Sequence, residues 1–149
     1  MSAEISPDLR RVLRRLKLSP LLATLPERLV LARSRKLPHA EFLELVLSDE
    51  VDRRDRASAA RRAKAAGLDP AMVLEAWDDE AAVTYDRELW AELVTLRFME
   101  EAHGVLVLGP VGVGKTHMAS ALGHIACRRR RSVVFGRADH LLKRLRASR

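Results

Sequence analysis

Gly109-Pro110-Val111-Gly112-Val113-Gly114-Lys115-Thr116 has the spacing G-x-x-x-x-G-K-[ST], and each residue type in it suits the capture of an anion. Glycines let the main chain wrap closely around a phosphate, so several N–H groups point at one anion at the positive end of a helix. Lys115 has the reach for the β- and γ-phosphates of a nucleotide. Thr116 can place its hydroxyl on Mg²⁺, whose other ligands are phosphate oxygens, water and normally an acidic side chain from another strand. Gly109 to Thr116, with His117 directly behind them, form the candidate nucleotide-binding set. The competing reading is a glycine-rich turn carrying a surface lysine.

Hydrolysis asks for more: an acid at a strand end for the metal, a group that orients water, and usually an arginine for the transition state. Beyond the loop the one acidic residue is Asp139, which Gly136-Arg137-Ala138 separates from the apolar run Val133-Val134-Phe135. It reads as a helix-starting residue. No catalytic residue is therefore assigned, and the chain reads as truncated at its C-terminus. His117 and His124 lie seven apart with no cysteine or further histidine at i+4, which argues against a protein-only metal site. Cys127 stands alone, so it reads as a small buried side chain rather than a nucleophile or half of a disulfide.

A phosphate loop needs a strand before it and a helix after it. Val105-Leu106-Val107-Leu108 is an unbroken apolar run suited to a strand buried on both faces. A helix over 115–128, a basic turn Arg129-Arg130-Arg131, a strand over 132–135 and a helix over 139–146 give the order βαβα. Everything ahead of it reads as helical. Ser6-Pro7-Asp8 starts a short amphipathic helix, and a second runs over about 20–36 with Pro26 as a kink or boundary. A long helix spans 39–66 between Leu37-Pro38 and Gly67. Two further helices are predicted around 70–77 and 87–101, with Trp77, Trp90, Leu93, Leu96 and Phe98 as core. The expected divisions are a basic helical region over 1–67, an acidic connecting segment over 68–102, and a partial P-loop domain over 103–149. The fold class is mixed α and α/β.

In the long helix the face holding Leu43, Val46 and Leu47 continues through Glu50, Arg53 and Arg54 to Arg61 and Lys64. Its second half is therefore expected to project into solvent or onto a partner, and Arg53, Arg54, Arg61, Arg62 and Lys64 are candidate DNA contacts. The 149 residues carry a net charge of +7, made of +6 over 1–67, −7 over 68–127 and +8 over 128–149. Basic ends favour a polyanion such as nucleic acid, although an arginine-rich composition alone produces the same totals. With 48% apolar and 32% charged residues the chain is too rich in core material for disorder, and 4% aromatics suit helices better than an all-β fold. No apolar run approaches the ~20 residues that span a bilayer, and with one cysteine the expected location is the cytoplasm.

The loop 109–116 with His117, the helical region from Leu43-Glu44 to Arg62, the approach Tyr85-Asp86-Arg87 and the segment 132–145 together resemble the IstB-like ATP-binding proteins. These are helper ATPases of insertion-sequence transposition, related to the DnaC helicase loaders. The resemblance covers the whole chain and implies ATP and Mg²⁺ as ligands and an AAA-type nucleotide-binding domain, here its first half. It implies that the strands at 105–108 and 132–135 are not sheet neighbours, which leaves their edges open. It further implies three partners: DNA on its phosphate backbone with little sequence preference, the transposase of the same insertion sequence and, in a full-length protein, other copies of the chain. Two functions stay open. One is an ATP-binding transposition helper that is hydrolysis-deficient as this chain; the other is a non-enzymatic remnant or nucleic-acid-binding module with a non-functional P-loop. A small-molecule P-loop kinase fits less well, because about 100 helical residues precede the loop.

Overall fold

The computed structural model describes residues 5–78 and 83–147, and the chain divides into two compact units, Met1–Arg56 and Ala57–Arg149. In the first unit α1 (Pro7–Arg15) opens as its sequence dictates. Ser6 Oγ accepts the Leu9 N–H at 3.2 Å, Pro7 occupies the first helical position, and Asp8 lies in the positive first turn. α1 closes where the Leu18 N–H donates to the Leu13 carbonyl at 2.7 Å and the Lys17 N–H to that of Arg14 at 3.0 Å. α2 (Leu21–Arg35) runs through Pro26 without ending there. The proline removes a single bond, to the Leu22 carbonyl, near the start of the helix. Burial of Leu21 and Leu25 offsets that loss at roughly 1.5–3 kcal/mol per side chain. Ile5, Leu13, Leu21, Leu25 and Val46 form the core of this unit, with Leu18, Leu22, Leu29 and Phe42 packed around them.

α3 (His39–Ala66) has the predicted bounds, and Gly67 at φ 79° ends it in the left-handed conformation. Its expected apolar face is only partly inward: Val46 is buried, while Leu43 and Leu47 stay exposed. Beyond residue 50 the helix does not simply project into solvent. Ala59, Ala63 and Ala66 are all buried, the last two against Leu68 and Cys127, because methyl side chains at 3–4 spacing let another element approach closely.

In the second unit a 3-10 turn (Leu74–Ala76) stands where a helix was expected over 70–77. A helix would pair the Asp69 and Val73 carbonyls with N–H groups four residues on. Instead both accept N–H groups three residues on, from Met72 and Ala76 at 3.1 Å each, and each also meets an imidazole of α6: His124 Nε2 lies 2.9 Å from the Asp69 oxygen and His117 Nε2 2.8 Å from the Val73 oxygen. The expected helix over 87–101 is two, α4 (Arg87–Val94) and α5 (Arg97–Glu100), broken at Leu96 with φ 60°. The left-handed residue costs about 1–2 kcal/mol and is balanced by burial of the Leu96 side chain with Ile125 and Ala126. α6 (Lys115–Arg128) and α7 (Ala138–Ala147) complete the element order.

The α/β expectation is not realised: no strand occurs among the described residues. Residues 105–108 are exposed rather than buried on both faces, with Leu106 at 81% and Leu108 at 80%. Residues 132–135 keep the alternation of a strand, with Val133 and Phe135 facing the core, but the Phe135 N–H donates to the carbonyl of Ala66 at the end of α3, 3.3 Å away. A ladder needs a neighbouring segment to receive its N–H and C=O groups, and neither run has one.

Candidate nucleotide-binding site

The loop at 109–114 leads directly into α6. Its last residue, Gly114, is the N-cap at φ 86°, ψ 11°, and no side chain caps the first N–H groups of the helix. An L side chain at that φ costs about 1–2 kcal/mol, which is why glycine serves there. Gly112 also has a positive φ, of 90°, and a Cβ placed on it would meet nothing within 4 Å. The result is a bend, open at Gly112, that leads into the positive end of a 14-residue helix.

Lys115 fills part of this bend itself. Its Nζ donates to the carbonyls of Gly109 at 2.9 Å and Pro110 at 2.5 Å, so the ammonium bridges the first residues of the loop. Thr116 is exposed at the first turn of α6, with its hydroxyl available to a ligand, and Val111 at the tip is 99% exposed. Pro110 and Val113 complete the loop between these positions. The His117 ring is turned away to the Val73 carbonyl, which leaves only its main chain to the candidate site.

Behind the loop stands an aromatic group that the sequence reading took as core without connecting it to the site. The Trp77 ring lies 5.3 Å from His117 edge to face, 5.8 Å from Tyr85 in the same geometry, and 6.5 Å from Trp90. Its Nε1 donates to the Tyr85 hydroxyl at 3.1 Å. A Cβ added to Gly114 would lie 2.7 Å from two indole carbons, so Trp77 touches the bare face of the last glycine. Two tryptophans and a tyrosine within 14 residues were the available signal. What the sequence lacked was the fold of residues 69–77 over α6. Beside the loop, a cleft of about 540 Å³ is lined by Trp90, Leu93, Phe98, Val113, Lys115 and Met118 among others.

The remaining candidates have ordinary surroundings. Cys127 is buried, and burial raises its thiol pKa, which suits a structural side chain. Arg62 donates from Nε and Nη2 to the Cys127 carbonyl at 3.0 and 2.7 Å, placing a cation at the negative end of α6. Arg53 and Arg54 close on the buried carboxylate of Glu50, with Nε to oxygen distances of 2.7 Å each. Hydrogen bonds from Arg53 first, and then from Arg54, hold that carboxyl down at about 2 despite burial. Arg61 and Lys64 are exposed. Asp139 lies in the first turn of α7, 3.3 Å from Arg137 and 3.8 Å from His140. No group of three or more potential metal-ligating side chains occurs among the described residues, and no helix among them is long and apolar enough to cross a membrane.

Residues 11–149 match the family described as IstB-like ATP binding protein. An insertion-sequence ATP-binding protein of Mycobacterium tuberculosis is 39% identical over 139 residues, which cover 93% of this chain and 55% of that protein. Counterparts from Pseudomonas fluorescens and Pseudomonas aeruginosa are 38% and 36% identical over 90% and 93% of this chain, and 58% and 52% of their own lengths. The chain thus spans about half the length of these curated relatives.

Proposed function

The chain belongs to the IstB-like ATP-binding proteins, and from that premise we propose that it is an ATP-binding helper of DNA transposition whose loop 109–116 holds the nucleotide's phosphates. The observation that carries the reading is the bend at Gly112 and Gly114, open at Gly112, that feeds a helix with no side-chain cap and Lys115 at its first position. The donor set fits a Mg²⁺-bound triphosphate: main-chain N–H groups and an ammonium for the phosphates, and the exposed Thr116 hydroxyl for the metal. Mg²⁺ bound there would neutralise phosphate charge. The chain's own part is to orient the phosphates and move Lys115 from two carbonyls onto them. The adjoining cleft has the size of a small-molecule site and apolar walls suited to a base.

Little turnover is expected from this chain by itself. The only acid after the loop, Asp139, is engaged with Arg137 and His140 at the start of a helix. Basic side chains of the helices are the proposed DNA contacts, and a transposase of the same insertion sequence the proposed protein partner. On α3, Arg61 and Lys64 are exposed, whereas Arg53, Arg54 and Arg62 already bond within the protein.

Titration with a fluorescent ATP analogue in the presence of Mg²⁺ tests the central claim. Lys115→Ala should remove most of the affinity, because the phosphates lose their positive partner. Equal binding by wild type and variant would favour the alternative, a remnant whose loop no longer takes nucleotide.

A further inference from the structure

α1 presents an unusual division of charge. Taking 100° per residue, Arg10, Arg11, Arg14 and Arg15 lie within an arc of roughly 140°, Leu9, Val12, Leu13 and Leu16 lie opposite, and Lys17 follows just past the helix in the left-handed conformation. All five cations are exposed. Arg10 donates to the Ile5 carbonyl at 3.3 Å, and Arg11 pairs with Asp8 at 3.2 Å across a solvent-exposed gap, which is worth little in water. Arg14 and Arg15 make no side-chain hydrogen bond or ion pair among the described residues.

The helix carrying these charges is firmly mounted. Leu13 is buried with Ile5, Leu21, Leu25 and Val46. At the C-terminal end, Arg54 of α3 donates Nη2 to the Lys17 carbonyl at 3.3 Å while its Nε bonds Glu50 at 2.7 Å. Arg54, itself held on Glu50, therefore braces the end of α1, while Arg53 bonds Glu50 only. The sequence placed both among the DNA contacts, and in the fold both are engaged with Glu50, whereas Arg14 and Arg15 of α1 have no such bond among the described residues.

We propose that the arginine face of α1, centred on Arg11, Arg14 and Arg15, is the protein's main contact with the phosphate backbone of duplex DNA. A rigid row of cations suits a regular polyanion, because ordering those side chains costs less when their helix is already fixed. Arg11 and Arg15 are one turn apart, ~6 Å along the axis, so neighbouring phosphates of one strand can be met by successive turns. Nothing in this geometry reads base edges. The proposal rests on the DNA-binding part of the function proposed above and assigns it a surface.

The test uses the full chain and a duplex of arbitrary sequence, with binding followed by fluorescence anisotropy across a salt series. The variant Arg11→Gln/Arg14→Gln/Arg15→Gln keeps good helix formers and removes three charges. If each arginine meets one phosphate, the log–log salt slope falls by roughly 2.7, so that between 50 and 200 mM salt the variant loses roughly 40-fold less affinity than the wild type. Thermal melting should show the variant folded. The comparison variant Arg61→Gln/Lys64→Gln should change the slope less. A triple variant with full affinity and slope, beside a comparison variant that loses both, would overturn the α1 assignment and leave DNA binding standing. Absence of salt-dependent duplex binding by the wild type would remove the DNA reading itself and this surface with it. Phosphatidylserine vesicles form the last arm, because Leu9, Val12 and Leu16 remain exposed beside the arginines. Binding to vesicles but not to the duplex, lost in the triple variant, would show α1 to be a lipid-facing helix and refute the proposal.

Discussion

Gly114→Ala should be damaging for two separable reasons, and their sizes follow from the coordinates. The residue sits at φ 86°, where an L side chain costs about 1–2 kcal/mol. The new methyl would also lie 2.7 Å from Cη2 and Cζ3 of Trp77, well inside contact distance, and overpacking of this kind costs about 1–3 kcal/mol. The total is about 2–5 kcal/mol, a large share of the stability of an ordinary small domain. A double-mutant cycle with Trp77→Ala separates the terms, because the indole is the only group within 4 Å of the added Cβ. Urea unfolding followed by far-ultraviolet circular dichroism supplies the free energies without relying on the tryptophan signal. In the Trp77→Ala background the glycine substitution should cost only the backbone part, about 1–2 kcal/mol, leaving a coupling of about 1–3 kcal/mol. Equal costs in both backgrounds would show that Trp77 does not press on Gly114, and the idea that the aromatic group backs the phosphate loop would fail.

Two further outcomes follow from buried polar groups. Ser120 is fully buried on α6 and its Oγ has no hydrogen-bond partner among the described residues, so Ser120→Ala should raise stability by ~1 kcal/mol, read as a higher melting temperature; a clear drop would mean that the hydroxyl is satisfied after all. Glu50 has a folded pKa of about 2 against 4.5 for the free side chain, so its contribution is present above pH 4.5 and is lost as pH falls towards 2; Glu50→Gln should flatten that part of an acid-unfolding profile, and an unchanged profile would refute the pairing of Glu50 with Arg53 and Arg54.

The parts of the fold that the sequence announced are those governed by neighbours along the chain. α3 begins after Leu37-Pro38 and ends at Gly67, and α6 begins where Gly114 breaks the preceding loop, because caps and breakers act within a few residues. The candidate phosphate loop is proposed on the same ground, since its chemistry would be carried by eight consecutive residues. Segments decided by distant partners were not legible. In residues 69–77 the Asp69 and Val73 carbonyls accept N–H groups three residues on and also meet the imidazoles of His124 and His117, and the i, i+7 spacing of those histidines discloses no such destination. The turn at Leu96 answers to a pocket against Ile125 and Ala126. Residues 105–108 carry strand-forming side chains, yet a strand exists only when another segment accepts its hydrogen bonds. Among the proposed DNA contacts, charge pattern identified the cations and could not say that Glu50 and the Cys127 carbonyl already engage three of them.

The two bonds from Lys115 to Gly109 and Pro110 make the loop its own competing ligand. Any nucleotide must displace an intramolecular occupant held at high effective concentration, and its apparent dissociation constant is the intrinsic value divided by the fraction of molecules in which the lysine has let go. If that fraction is about one in ten, measured affinity is about tenfold below what the phosphate contacts alone would give. Release is a side-chain rotation, fast beside ligand departure, so the latch lowers the apparent association rate by that same fraction and leaves departure unchanged. Replacing Lys115 thus removes the cation and the competitor together, and the measured loss understates what the ammonium contributes once the phosphates are in place.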